Sequence, residues 1–207
     1  MPLSSIEWLD QILQQAGSEP KPIADALNQA TQQLYDAFSP QADADLLVRQ
    51  KARCVDRVLQ HCFHQLIGEC DDQSIALIAV GGYGRGELLP ASDIDLLLLL
   101  QRKPNKRTEQ SISSFITFLW DIGLEVGSSV RTLRDCVSEG RNDVTVMTNM
   151  IEARMITGDR LLFDKFQKSI SGKKLWSSKQ FFEAKLQEQH DRHLRFNDTA
   201  YNLEPNI

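Results

Sequence analysis

The stretch from Ile75 to Leu100 constrains the fold most, because two apolar runs flank a cluster of glycines there. Ile75-Ala76-Leu77-Ile78-Ala79-Val80 is short, partly β-branched and closed by Gly81-Gly82, which predicts a buried strand. Asp93 to Leu100 is a second run whose length suits a strand better than a helix. On a strand, residues i and i+2 share a face, so Asp93 and Asp95 stand together while Ile94, Leu96 and Leu98 face the other way. Two adjacent carboxylates repel, and beside an apolar strand the pair is costly unless a cation neutralises it. Hard oxygen ligands of this kind suit Mg²⁺, which fills its other positions with water and phosphate oxygens.

Between the two runs, Gly81, Gly82, Gly84 and Gly86 remove side chains from the turn, so backbone N–H groups can approach a phosphate closely. Arg85 adds a positive charge, and Ser92 stands directly before the first aspartate. No Gly-Lys-Ser/Thr follows, which excludes a P-loop, and the glycine spacing is not that of a dinucleotide fold. Alone, an Asp-x-Asp pair is a strand end in solvent, and a glycine turn is only a turn. Together, with the Asp-x-Asp beginning twelve residues after Gly81, they resemble the signature of the polymerase-β-like nucleotidyltransferases. That resemblance implies that Gly81, Gly82, Arg85 and Ser92 cradle a nucleoside triphosphate and that Asp93 and Asp95 are the catalytic, metal-holding carboxylates. Arg85 and Glu87 also fit a turn-stabilising ion pair, and Tyr83 fits packing.

Sites of that kind add a third carboxylate on a later strand. Leu124 to Thr132 alternates like a strand, with Leu124, Val126 and Val130 on one face and Glu125, Gly127, Ser129 and Arg131 on the other. Glu125 is the candidate third metal ligand or base, with Asp121 as competitor. Arg131 is either a phosphate contact or half of a cross-strand ion pair.

Helical spacing runs from Ile23 to Phe38, from Val55 to Ile67, through Ile112, Phe115, Ile116 and Leu119, along Val144, Met147, Met150, Ile151 and Met155, and through Phe182 and Leu186. The methionine stripe reads as core. The fold class expected is α+β: a small mixed sheet with helices of the polymerase-β-like nucleotidyltransferase type, plus N-terminal and C-terminal helical segments. The expected division is a helical annex over 1–70, a nucleotidyltransferase core over 71–170 and a C-terminal helical segment over 171–207.

With 207 residues, 42% apolar and 25% charged, the chain can bury one core. A net charge of −5 argues against wrapping nucleic acid, and the basic run Arg102 to Arg107 around Pro104-Asn105 reads as a solvated loop. No basic start precedes an apolar run and no stretch is long enough to span a membrane, so a cytoplasmic protein with no membrane partner is expected. Cys54, Cys62, Cys70 and Cys136 lack paired spacing and read as reduced structural residues. His61, His64, His190 and His193 have no neighbouring ligand set.

Val80 to Leu100, with Leu119-Trp120-Asp121, Leu124-Glu125-Val126-Gly127, Ser129-Val130-Arg131-Thr132, Glu152-Ala153-Arg154, Gly158-Asp159 and Tyr201-Asn202-Leu203-Glu204-Pro205, resembles the bifunctional protein-PII uridylyltransferase/uridylyl-removing enzymes. The resemblance spans about Ile75 to Ile207. It implies transfer of UMP from UTP to a tyrosine of the PII nitrogen-signalling protein, with release of pyrophosphate and dependence on Mg²⁺. Ser128 stands where the family commonly has histidine. The family's hydrolase and ACT domains are expected to lie beyond this chain, and His190-Asp191 does not substitute for the former. The alternatives are a related adenylyltransferase and a non-catalytic nucleotide-binding regulatory module; the presence of both aspartates argues against the latter.

Overall fold

The computed structural model describes residues 4–39, 43–68, 73–90, 92–171 and 175–195; Cys70 and the expected extended segment from Tyr201 to Ile207 lie outside them. Three helices come first: α1 (Ser4–Ala16), α2 (Pro20–Asp36) and α3 (Ala44–Leu66). Prolines at the start of α2 fix its first turn, where no backbone donor is needed. Asp43 caps α3 by accepting from the Asp45 N–H. Strand β1 (Ile75–Ala79) follows, then a single turn of helix, α4 (Gly81–Gly84), and β2 (Ile94–Leu100). Helix α5 (Lys106–Asp121), capped by Asn105 at the end of the exposed basic loop, leads to β3 (Val126–Thr132).

Next come α6 (Leu133–Asn142), α7 (Val144–Ile151), β4 (Arg154–Gly158), α8 (Arg160–Ile170) and α9 (Ser178–Arg195). The four strands lie in the order β3-β2-β1-β4. Strand β1 pairs antiparallel with both β2 and β4, whereas β2 and β3, joined by the α5 crossover, run parallel. The sheet is therefore small and mixed, as expected, but it has a fourth strand where the methionine spacing suggested a longer helix. Met155 belongs to β4, not to the α7 stripe. Met147 and Met150 are core residues, as read.

Strand β2 explains the layering. Leu96, Leu98 and Leu100 enter one core with Ile75 and Leu77 of β1, residues of α5 such as Phe115, and the buried stripes of α1, α2 and α3. Leu97 and Leu99 enter a second core with Ala76, Ile78, Cys136, Met147 and Phe166. A central strand covered on both faces carries an unbroken apolar run instead of an alternating one. The five leucines are essentially inaccessible to water, and at about 1.5–3 kcal/mol each their burial outweighs the cost of beginning the strand with a half-buried aspartate. The N-terminal helices thus share one continuous core with the sheet.

Strand β3 forms one edge. Val130, expected on the apolar face, is 43% exposed, on a strand with no further strand beside it among the described residues. Cys54, Cys62 and Cys136 are buried free thiols, and burial pushes them up to about 11, 12 and 12. Among the described residues no helix is long and apolar enough to cross a membrane.

Candidate active site

The end of β1 and the beginnings of β2, β3 and β4 fall at one edge of the sheet, as the register requires: Ala79 lies opposite Leu96 and Arg154, and Ile94 opposite Val126. Gly81, Gly82, Arg85, Ser92, Asp93, Asp95 and Glu125 lie at or beside this end, whereas Arg131, opposite Leu99, lies near the other end of β3. Asp93 is exposed just before β2, and Asp95 is the strand's second residue, half-buried, on the face that continues into Leu97 and Leu99. The ladder holds this position on both sides: Val80 N–H donates to the Asp95 carbonyl at 3.0 Å, and Ile94 N–H donates to the Glu125 carbonyl at 3.1 Å.

Two glycines flank the Asp95 carboxylate. A Cβ on Gly81 would come within 3.0 Å of Oδ2, and one on Gly127 within 2.8 Å of Oδ1. Gly81 also adopts φ 58°, which glycine takes without steric cost. Glycine at both positions therefore leaves the carboxylate clear of side chains. Burial first, and the nearby Asp93 charge second, push the Asp95 carboxyl above the usual carboxylate range. Two hard oxygen donors side by side, the inner one kept clear by two glycines, fit a divalent cation such as Mg²⁺. Among the described residues no group of three or more His, Cys, Asp or Glu side chains is gathered as a metal cage; Glu125 stands exposed just before β3.

The glycine turn is anchored from beneath. Tyr83, 2% exposed, donates its hydroxyl to Asp56 Oδ1 of α3 at 2.5 Å. Arg154 at the start of β4 grips the same carboxylate at 2.7 and 3.1 Å, donates to the Tyr83 carbonyl at 3.4 Å, and lies over the Tyr83 ring at 5.4 Å. The sequence reading of Tyr83 as packing holds, with this anchoring in addition. The buried Arg154 Nε has no hydrogen-bond partner among the described residues.

Above the turn, Arg85 is held by Glu152 at 2.8 Å and Glu87 at 3.4 Å, and Glu87 also accepts from Arg49 at 3.0 Å. The Arg85–Glu87 ion pair read from the sequence is present. These pairs are exposed and individually weak, so an incoming phosphate can compete for the guanidinium. Gly82, Tyr83, Arg85, Glu87, Ser92 and Asp93, with residues of α3, line a concavity of about 310 Å³. On the opposite flank Asp93 joins Trp120, Gly123, Leu124, Glu125, Val126 and Gly127 around another of about 550 Å³; Asp121 does not line it.

Arg131 pairs at 2.7 Å with Glu139 of α6, not across the sheet. His61 lies 2.6 Å from the Gly17 carbonyl and His64 lies 3.3 Å from Thr157, away from the carboxylates. Sequence reasoning gave no role to Asp56, Glu152 or Arg154, whose partners are far along the chain. It also passed over Asn149 of α7, whose Oδ1 lies 3.8 Å from the Cβ position that Gly81 leaves empty.

Residues 64–145 match the nucleotidyltransferase domain family, and residues 180–207 match the GlnD PII-uridylyltransferase family. The mixed sheet with its glycine turn and Asp-x-Asp strand is the polymerase-β-like fold. The chain is 47% identical over 182 residues to the bifunctional uridylyltransferase/uridylyl-removing enzyme of Pseudomonas savastanoi pv. phaseolicola, covering 88% of this chain and 20% of that protein. It is 46% identical, over the same shares, to the enzyme of the same name from Pseudomonas aeruginosa strain LESB58. The chain therefore spans about a fifth of the length of the curated relatives it matches. A nucleotidyltransferase domain match, a family-specific C-terminal match and this identity across most of its length together mean that the chain belongs to the bifunctional uridylyltransferase/uridylyl-removing enzyme family.

Proposed function

We propose that the chain transfers UMP from UTP to a tyrosine of a PII signalling protein, releases pyrophosphate and requires Mg²⁺. The observation that carries this is the Asp95 carboxylate, half-buried beside Asp93, pushed toward protonation and kept clear by Gly81 and Gly127. A bound divalent ion would neutralise the pair, draw in the triphosphate and stabilise charge on the reacting phosphate. The protein's own groups do the rest. The turn at Gly81 and Gly82 presents backbone to the phosphates, Arg85 supplies positive charge once released from Glu152, and the Asp56–Arg154–Tyr83 anchor keeps the turn in place. Positioning and charge compensation of this kind account for most of phosphoryl and nucleotidyl transfer.

The test is incubation of the chain with PII protein and α-labelled UTP or ATP, in Mg²⁺ or in EDTA. Label on PII from UTP, in Mg²⁺ only, is the expected result. Label from ATP instead would make the chain an adenylyltransferase, and nucleotide binding without transfer would make it a regulatory module.

A further inference from the structure

The carboxylate pair lies on a saddle with two unlike flanks. Toward β1 stand the glycine turn and Arg85; toward β3 lies the concavity of about 550 Å³ that Asp93 shares with Trp120, Glu125 and Gly127. Trp120, in the last turn of α5, is 58% exposed at this second concavity, although the same helix buries Phe115 and Leu119 completely. An indole left in water beside reactive carboxylates is costly for a free protein and is the side chain most often found to anchor a protein partner.

We propose that this concavity is the docking site of the acceptor protein, with Trp120 its anchor. The inference rests on the nucleotidyl-transfer reading and deepens it. In an in-line displacement the attacking oxygen and the leaving pyrophosphate lie on opposite sides of the α-phosphorus. The donors suited to the β- and γ-phosphates, the glycine-turn backbone and Arg85, are all on the β1 flank, which leaves the β3 flank to the incoming hydroxyl. The step balances there. The acceptor hydroxyl oxygen forms a bond to the α-phosphorus, the bond to pyrophosphate breaks, and the hydroxyl proton passes to the Glu125 carboxylate in the same wall. With no side chain at Gly123 or Gly127, the concavity is shallow and open, the shape needed by a side chain that arrives on a protein loop. The anchor contributes area that a phenol alone lacks.

Calorimetric titration of the 207-residue chain with unmodified PII protein, and separately with UTP and Mg²⁺, tests this in wild type, Trp120→Ala and Trp120→Phe. Trp120→Ala is expected to weaken PII binding at least tenfold and leave UTP affinity within twofold, with Trp120→Phe restoring most of the loss. Because the side chain is exposed, neither variant should disturb folding. Undiminished PII binding by Trp120→Ala, or no PII binding by wild type, overturns the docking site. Loss of UTP affinity with PII binding intact also overturns it, since the indole would then stack on the nucleobase. Failure of wild type to bind UTP with Mg²⁺ overturns the transfer reading itself, and the docking site with it.

Discussion

The two flanks of the Asp93–Asp95 pair are built in opposite ways. The glycine turn on the β1 side is pinned by Tyr83, Asp56 and Arg154, three side chains from three parts of the chain that meet below the surface. The β3 side is an edge strand with exposed Glu125, Gly127, Ser128 and Val130, and a tryptophan half in water. The pinned flank suits a group of fixed shape that must be held the same way at every turnover, as phosphates are. The open flank suits a partner that arrives and leaves. Substitutions that uncouple the two can break or sharpen this contrast.

The largest effect is expected at the centre, which both flanks serve. Asp95→Asn should lower transfer about a thousandfold or more, since the several kcal/mol a metal supplies at about 1.4 kcal/mol per tenfold amounts to that much. In metal-free buffer the variant should melt no lower than wild type, because the replaced carboxylate is the one its surroundings push toward protonation. The sign carries over to pH. A carboxyl raised in the folded state holds its proton there more tightly than in the unfolded chain. Without metal, this group's contribution to stability should therefore fall as pH rises through its raised range and recover toward the ordinary carboxylate range. Stabilisation by Mg²⁺, which needs the ionised form, should grow with pH. Melting curves with Mg²⁺ and with EDTA across that range measure both trends; the same trends in Asp95→Asn would assign them to another group.

A middle-sized effect should appear beneath the pinned flank. Asp56→Ala strips Arg154 and the Tyr83 hydroxyl of their common acceptor in a poorly solvated place, and removal of one partner from such a pair costs about 3 kcal/mol. Denaturant titration reads this directly. At denaturant concentrations where the variant is still folded, KM for UTP should rise more than kcat falls, since the loosened element is the turn proposed to hold the phosphates. Equal loss in both, with stability unchanged, would mean that the turn holds itself.

The same contrast explains what was legible in the sequence. β1, β2 and the shared face of Asp93 and Asp95 follow from local patterns: a short apolar run, a two-residue alternation and a closing glycine pair. β4 was hidden because Met155 falls four residues after Ile151 and so continues the helical count, while Arg154 and Thr157 look polar. α6 has little apolar pattern, burying only Cys136 and Gly140, and its signal was the capping box of Thr132 with Asp135. The anchoring of Tyr83 by Asp56 and Arg154 and the pairing of Arg85 with Glu152 join positions 27 to 71 residues apart, which no periodicity encodes. The chemistry was local in sequence; the support that positions it was not.

The smallest effects should come from adding a single methyl group on each flank. A Cβ at Gly127 meets Asp95 Oδ1 at 2.8 Å, so Gly127→Ala must displace the carboxylate, whereas a Cβ at Gly82 meets only the Arg85 guanidinium at an ordinary 3.6 Å. Neither glycine has a positive φ, so backbone strain is not at issue and both variants should fold with stability within about 1 kcal/mol of wild type. Their ligands should tell them apart. Gly127→Ala should weaken Mg²⁺-dependent activity about tenfold, because a displaced reactive group costs up to about a hundredfold per ångström. Gly82→Ala should lower UTP affinity a few-fold, on the order of 1 kcal/mol, only because the methyl takes space that phosphate oxygen would fill. Calorimetry with Mg²⁺ alone and then with UTP separates the two. If Gly82→Ala binds UTP as wild type does, the triphosphate does not lie against the turn, and the pinned flank is a structural support without a phosphate site.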